Sequence, residues 1–539
     1  MFKSLLIPIL LLTLNVGCNG SPVGEQVESV GDRKKKSKPK FTVSKETTHI
    51  TQPLTEDGYP DYAAAINQLL GKGVTPMNNA NVLFWRAHGP HPEQATMPAK
   101  FFDLMGIESP PEDGEYFLAL GQYLFKIEGF KLLDERLVEI YDHQSQASSR
   151  PWKAAQYPEV AKWLTTNEKP LALVREGSLR NKYFSPLVVT NDEEENSGLI
   201  GVLLPAVQSS RSFARALSAR AMLRLGEGNV TGAWDDLLTC HRLARLIARG
   251  PTLIEGLVGV TIDGIATHAD LAFIQHSKPN AQQVAAYLRD LDELAPLINV
   301  TEKIDVSERF MFLDSTFLIA RGGAFKTLAA LAGGEATGVE EIVDEKVFAA
   351  IDWDVVMRIG NHWYDRLVAA MKTKDRREMV MALKKIDADL EALGKEAKDV
   401  QKLLKRLTGK EKKPKEVVSQ MIGDMMVALL LPALHAVKSA ESRAEQQQQN
   451  LRIAFALAAF RSDNKRYPKR LSELSPKYLK SLPSDLFTGK ALVYKPSANG
   501  YLFYSFGRNE KDDKGRLQDD DPSGDDLRVR MPLPELKRD

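Results

Sequence analysis

Residues 210–249 read SRSFARALSARAMLRLGEGNVTGAWDDLLTCHRLARLIAR, and this stretch decides the fold class. Phe213, Leu217, Ala221 and Leu225 recur one helical turn apart on a single stripe. Gly226-Glu227-Gly228-Asn229 then interrupts the helix, with Asn229 placed to cap the next one. Ala233, Leu237, Cys240, Ala244 and Ile247 form the following stripe, so the spacing predicts a helical hairpin joined by a small-residue turn. The same period recurs from Asp61 to about Lys410, where strand-like alternation is rare. The predicted fold class is therefore mainly α, an irregular array of helical hairpins over 61–373. Strands are expected only after about Lys490, inside a small α+β module over 425–539.

Between these parts, 374–424 carries a different signal. Met379, Leu383, Ile386, Leu390, Leu393, Ala397, Val400, Leu404 and Leu407 alternate steps of four and three, a heptad seam. Gly409 and Pro414 end it, and a new helix starts near Glu416 with a similar stripe, so an antiparallel hairpin within the chain is preferred to a dimer zipper. The 210–249 hairpin, with Trp234 as its bulky anchor, resembles a tetratricopeptide unit. No second copy follows at the expected period of about 34 residues, so a regular solenoid is not expected.

Composition narrows the function classes. The chain has 539 residues, too many for one core. Its net charge is +1, which argues against a dedicated nucleic-acid binder. Two cysteines exclude a disulfide framework. The sequence contains no H-E-x-x-H, G-x-S-x-G or P-loop motif, so a non-catalytic protein is expected. Gly226–Gly232 is glycine-rich, but it follows a helix and not a strand, which counts against a phosphate loop. Trp353, Trp363 and Tyr364 lie near His362, Asp352, Asp354 and Asp365 and could line a glycan-hydrolysing cleft. The simpler reading is a helix with a bulky core face. Cys240 reads as a small buried hydrophobe, and His88 and His91 as a weak metal pair.

The N-terminus carries the address. Lys3 precedes an apolar run from Leu5 to Leu14, too short to span a bilayer as a permanent helix, and no other stretch is read as meeting a membrane. Leu14-Asn15-Val16-Gly17-Cys18 resembles a bacterial lipobox, which implies cleavage before Cys18 and acylation of that cysteine. The expectation is a signal peptide over 1–18, a lipid anchor at Cys18 and a disordered tether over 19–60 rich in Gly, Ser, Pro and Thr. Asn19, by the same resemblance, favours the outer over the inner membrane, with the protein facing the periplasm. The basic run Arg33–Lys40 in the tether reads as solvated.

The order of features after Leu429 carries a second resemblance. A long polar helix ending near Asp463 is followed by Tyr467-Pro468, then by a turn at Asp485-Leu486-Phe487-Thr488-Gly489. The candidate strands Leu492-Val493-Tyr494 and Tyr501–Gly507 come next, and then an acidic loop. This order resembles the soluble part of type II secretion pseudopilins and related pilin-like proteins. The chain departs from that family in having no prepilin cleavage motif before the helix and Leu486 in place of the turn proline, so the fold is implied and the filament role is not. The loop holds Glu510, Asp512, Asp513, Asp519, Asp520, Asp521, Asp525 and Asp526. Crowded carboxylates suit calcium, which takes six to eight oxygens, and the resemblance independently implies calcium here. Asp519, Asp521 and Asp525 or Asp526 are the expected ligands. Arg530 stands where an EF-hand needs a glutamate.

Three function classes follow. The first is an envelope lipoprotein that binds or scaffolds other envelope proteins, held to the membrane by its lipid. The others are a glycan hydrolase and an adaptor of a secretion or filament apparatus.

Overall fold

The structure, a computed structural model, describes residues 41–131, 134–189, 198–202, 204, 206–322, 351–397, 414–431 and 434–536. Its helices are α1 (Tyr62–Leu70), α2 (Ala80–His88), α3 (Ala99–Met105), α4 (Leu120–Lys126), α5 (Arg136–Ser149), α6 (Pro158–Thr166), α7 (Glu168–Ser178), α8 (Ser210–Gly226), α9 (Val230–Ile247), α10 (Leu253–Ser277), α11 (Ala281–Asp292), α12 (Val300–Lys303), α13 (Arg309–Gly322), α14 (Trp353–Lys372), α15 (Arg376–Ala397), α16 (Pro414–Leu430) and α17 (Leu434–Asn464). A π-helical turn, Ile304–Glu308, joins α12 to α13. Strands β1 (Val493–Pro496), β2 (Tyr501–Ser505) and β3 (Leu527–Met531) form one antiparallel sheet in that order. The chain is thus mainly helical, with a small sheet near its C-terminus as the apolar periods predict. The pairings Leu54–Pro60 and Asn79–Lys182 are isolated bridges.

The described residues divide into two compact units whose segments alternate along the chain. The first comprises the described parts of Met1–Tyr62, Met311–Leu367 and Lys384–Pro432. The second comprises those of Ala63–Phe310, Val368–Leu383 and Ala433–Asp539.

In the first unit, residues 41–60 are packed, although their composition placed them in a tether. The Phe41 ring stacks on Phe317 with centroids 4.1 Å apart. The Thr42 backbone N–H and hydroxyl both donate to Asp354, and Asn361 Nδ2 donates to the carbonyls of Glu46 and Thr47. Two aromatic rings and a buried amide supply the core contacts that Gly, Ser and Thr cannot. Along α14, Trp353, Trp363 and Tyr364 are buried while His362 is exposed, the amphipathic arrangement of a core-facing helix. In α15 the heptad seam buries Met379 and Leu383, which belong to the second unit, and Ile386 and Leu390, which belong to the first. Its part beyond Ala397 lies outside the described residues.

The second unit is built around α10, which packs on α8, α9 and α17. By length and composition this 25-residue helix could cross a membrane, whereas from the sequence no stretch beyond the N-terminal run is read as meeting one. Here it is a core helix. Its approach to α9 is tight at Gly259, where a Cβ would lie 2.5 Å from the Ala244 carbonyl oxygen and 2.6 Å from Ala248 Cβ. The α8–α9 hairpin forms as the spacing predicts, and Asn229 accepts the Gly232 N–H as the N-cap of α9.

Helix α17 does not stand apart as the helix of a separate module. Leu451, Ile453, Ala454, Phe455, Ala456 and Leu457 are all buried, and a segment apolar on every side must be enclosed. It packs on α10, α11 and β3, and one hydrophobic core runs from Ala80 through α8–α11 to Met531. In the sheet, Tyr501 pairs with Met531, Phe503 with Val529 and Ser505 with Leu527, all buried on the same face.

Candidate functional site

The densest polar cluster in the second unit lies where α9, α10 and α17 meet. His241 Nδ1 is 2.6 Å from Asp263 Oδ1, and its Nε2 is 2.8 Å from Asp270 Oδ2. Arg245, one turn along α9, donates from Nη1 to Asp263 Oδ1 at 2.6 Å and from Nε to the Ala295 carbonyl. From α17, Gln448 Nε2 donates to Asp263 Oδ2 at 2.6 Å and to Thr267 Oγ1 at 3.1 Å. His241, Arg245, Asp263, Asp270 and Gln448 are all buried.

Burial alone disfavours a charged imidazole, but Asp263 and Asp270 outweigh it and raise the His241 pKa to about 9. The ring is therefore a cation at neutral pH and donates from both nitrogens. Burial also pushes against ionised Asp263, yet His241 and Arg245 together hold its pKa at about 2. For Asp270, burial prevails over the same imidazolium and shifts the carboxyl upward. Its Oδ1 is buried without a hydrogen-bond partner. Beside this cluster, buried Asp236 receives both Arg220 and Arg224. An enclosed, paired network of this kind fixes helix register.

A second polar cluster sits under the start of α10. Thr252 caps the helix, accepting the Glu255 N–H, while Glu255 Oε2 takes the Thr252 N–H and hydroxyl, a reciprocal capping box. Lys303 Nζ donates to the Gly250 carbonyl. Glu308, at the end of the π-helical turn, accepts the Leu253 N–H, and burial raises its pKa to about 7.

Among the described residues, a small enclosed cavity and a larger open cleft stand out. A cavity of about 10 Å³, the size of one water, is lined by Asn81, His88, Tyr183, Ser185 and Ser210 among others. Burial lowers the His88 pKa to about 3, so its ring is neutral. Ser209 Oγ lies 3.3 Å from His88 Nδ1, and Nε2 has no protein partner. A cleft of about 480 Å³ is lined by Pro76, Arg86, Ile107, Pro110, Pro111 and Tyr116, with Glu108 and Ser109. It offers apolar walls and separate charges, and its lining holds no His, Cys or Lys.

Residues singled out from the sequence fall as follows. Cys18 lies outside the described residues. Asp519 and Asp521 are exposed. Asp525 accepts from Arg443 Nη1 and from the Asn509 N–H. Asp526 is buried, accepting the Gly515 N–H at Oδ2 and leaving Oδ1 unpartnered. Among the described residues, no three His, Cys, Asp or Glu side chains gather as a metal would need. The carboxylates of the loop are largely engaged by backbone N–H groups and arginines: Asp520 takes the Leu517 N–H and Arg528, and Asp513 takes the Asp525 N–H. His88 and His91 do not pair, since His91 bonds Thr96 and Glu112 instead. Cys240 is buried and unpaired. Asp485, quoted only as part of a turn, is buried and ties that turn to the end of β2 through the Phe487, Thr488 and Phe506 N–H groups.

The sequence reading missed the His241 cluster because its members come from three helices. The signal lay in Asp263 and Asp270, two acids seven residues apart on one face of a largely apolar helix. No protein-family model, curated protein or solved structure matches the chain.

Proposed function

We propose that this chain is a non-catalytic lipoprotein of the bacterial envelope, anchored through Cys18, facing the periplasm and acting as a binding or scaffold protein. The observation that carries the reading is the sequence Leu14–Cys18 behind Lys3 and a short apolar run. Two features of the folded units support it. The His241 cluster is buried away from any substrate, and the larger cleft has apolar and proline-rich walls suited to holding a partner. Asn19 favours the outer membrane. Replacing Cys18 with Ala moves the protein from membrane to soluble fractions on this reading. Retention in the membrane after that change overturns it.

The finer reading of the C-terminal part is pilin-like. Its support is the order of α17, the Tyr467-Pro468 turn, three antiparallel strands and an acidic loop. That likeness also supports an adaptor role in a secretion or filament apparatus, to be tested by crosslinking and recovery of partners from envelope fractions. Calcium in the loop belongs to the same proposal. Its support here is narrow: the buried, unpartnered Asp526 Oδ1, with the charges of Asp512 and Asp513 close by. Melting the full chain with calcium and with chelator tests it, using Asp526→Asn as the variant. No shift between the two conditions removes calcium from the proposal.

A further inference from the structure

Helices α4 and α5 and the residue after α4 expose four large apolar side chains: Phe125 (38% exposed), Ile127 (59%), Val138 (78%) and Tyr141 (44%). Leucine-sized groups scattered singly need no explanation, but Phe125 and Tyr141 meet over Gly121, while Ile127, two residues past Phe125, does not share that face. Gly121 is the hinge of the patch. A Cβ there would fall 2.5 Å from Tyr141 Oη and 3.9 Å from Phe125 Cε2, so both rings share the bare backbone of one residue. Val138 lies one turn before Tyr141 on α5, and Ile127 caps the end of α4.

Beside the apolar stripe runs an acidic one. Glu135, Glu139 and Asp142 follow at i, i+4 and i+7 and are exposed. Only weak partners meet them: Glu139 lies 3.7 Å from His143, and Asp142 accepts from the neutral amide of Gln146. Arg136, the one arginine of α5, is drawn to Asp134 and to the Phe130 ring, and Lys126 is the one cation of α4. The face is therefore apolar with a negative flank.

That charge decides between occupants. Anionic head groups are repelled by the acidic stripe, and a second copy docked on the same face would bring two such stripes together. We infer that this face receives an amphipathic helix of a partner protein whose apolar stripe is flanked by Lys or Arg. Such a helix seats its apolar anchors on Phe125, Val138 and Tyr141 and pairs its cations with Glu135, Glu139 and Asp142. The inference rests on reading the chain as a binding protein, and it names the kind of partner.

The test uses the full chain and two synthetic amphipathic helices of about five turns, one with Leu and Lys, the other with Leu and Glu. Calorimetry is expected to show binding of the Leu/Lys peptide alone. Val138→Asp weakens it by at least about tenfold without moving the melting temperature, because Val138 is already in solvent. The triple change Glu135→Lys, Glu139→Lys, Asp142→Lys reverses the preference to the Leu/Glu peptide. Equal binding of both peptides, or binding indifferent to Val138→Asp, overturns the inference. So does a Val138-dependent dimer in sedimentation, or Val138-dependent uptake by phosphatidylglycerol vesicles. None of these results bears on whether Cys18→Ala releases the protein, so the two readings fail separately.

Discussion

His241 Nδ1 and Asp263 Oδ1 lie 2.6 Å apart in a site closed to water, and the opposite nitrogen of the same ring meets Asp270. One imidazolium thus joins two acids of α10 to α9, and Gln448 brings α17 to the same point.

The pH dependence of stability follows from that geometry. The folded His241 pKa, about 9, exceeds its ordinary value, so its contribution is complete below about pH 6.5 and is lost as pH rises through about 9. Asp263, held at about 2, contributes fully above about pH 3.9 and loses its contribution as pH falls toward 2. Between these limits the His241–Asp263 pair itself adds no slope to thermal melting. His241→Gln should cost about 3–5 kcal/mol, the usual penalty for leaving a buried charge without its partner, and flatten the alkaline limb. An unchanged alkaline limb in that variant would count against a charged His241.

Glu308 acts in the same sense as His241, and against Asp263, over a lower pH range. Its folded pKa of about 7 lies above the ordinary glutamate value because burial disfavours the carboxylate. The native state therefore binds the proton more tightly, and stability falls as pH rises from about 4.3 through 7. Glu308→Gln, which keeps an oxygen for the Leu253 N–H, is expected to raise the melting temperature at pH 8 and to change it little at pH 5. A lower melting temperature at pH 8 would contradict this account.

The crossing of α9 and α10 depends on a missing side chain. Gly259→Val places carbon atoms where the Ala244 carbonyl and Ala248 Cβ already are. Overpacking of this kind costs about 1–3 kcal/mol. Gly264→Ala, on the same helix with no atom within 4 Å of its Cβ position, is the control. Denaturant melts of the two variants should separate them clearly.

Phe455 tests whether α17 belongs to the core of the second unit. Its ring lies 5.7 Å from Trp234 and 5.9 Å from Tyr287, so Phe455→Ala is expected to cost about 3–5 kcal/mol. The loss should appear in near-ultraviolet signals from Trp234 as well as in global melting. A variant that disturbs only the sheet would restore the picture of a separate C-terminal module.

Much of the fold was legible because helical period and small-residue turns are local signals. Phe213–Leu225, Asn229 and the strands after Lys490 follow from them directly. The division into units was not legible. Interleaved segments leave no composition shift at their borders, and the apolar girdle of α17 reads equally as a free-standing helix with a sheet against it. The packing of residues 41–60 rests on Phe41 and Tyr59, two rings in a stretch otherwise built like a linker. Of the candidate site, Cys18 and the acidic loop are sequence signals. The His241 cluster needed the fold, since its acids and base become neighbours only when α9 and α10 cross.

The shared core of the second unit also sets an order on events in time. Its hydrophobic contacts begin at Ala80 and close only with Met531. During synthesis the apolar faces of α10 and α11 emerge well before α17 and the strands that cover them, so the first half of the chain has no finished core to settle into. Folding waits for the last segment, and a chaperone that shields apolar helices has its longest task between the release of Asp292 and the arrival of Leu434.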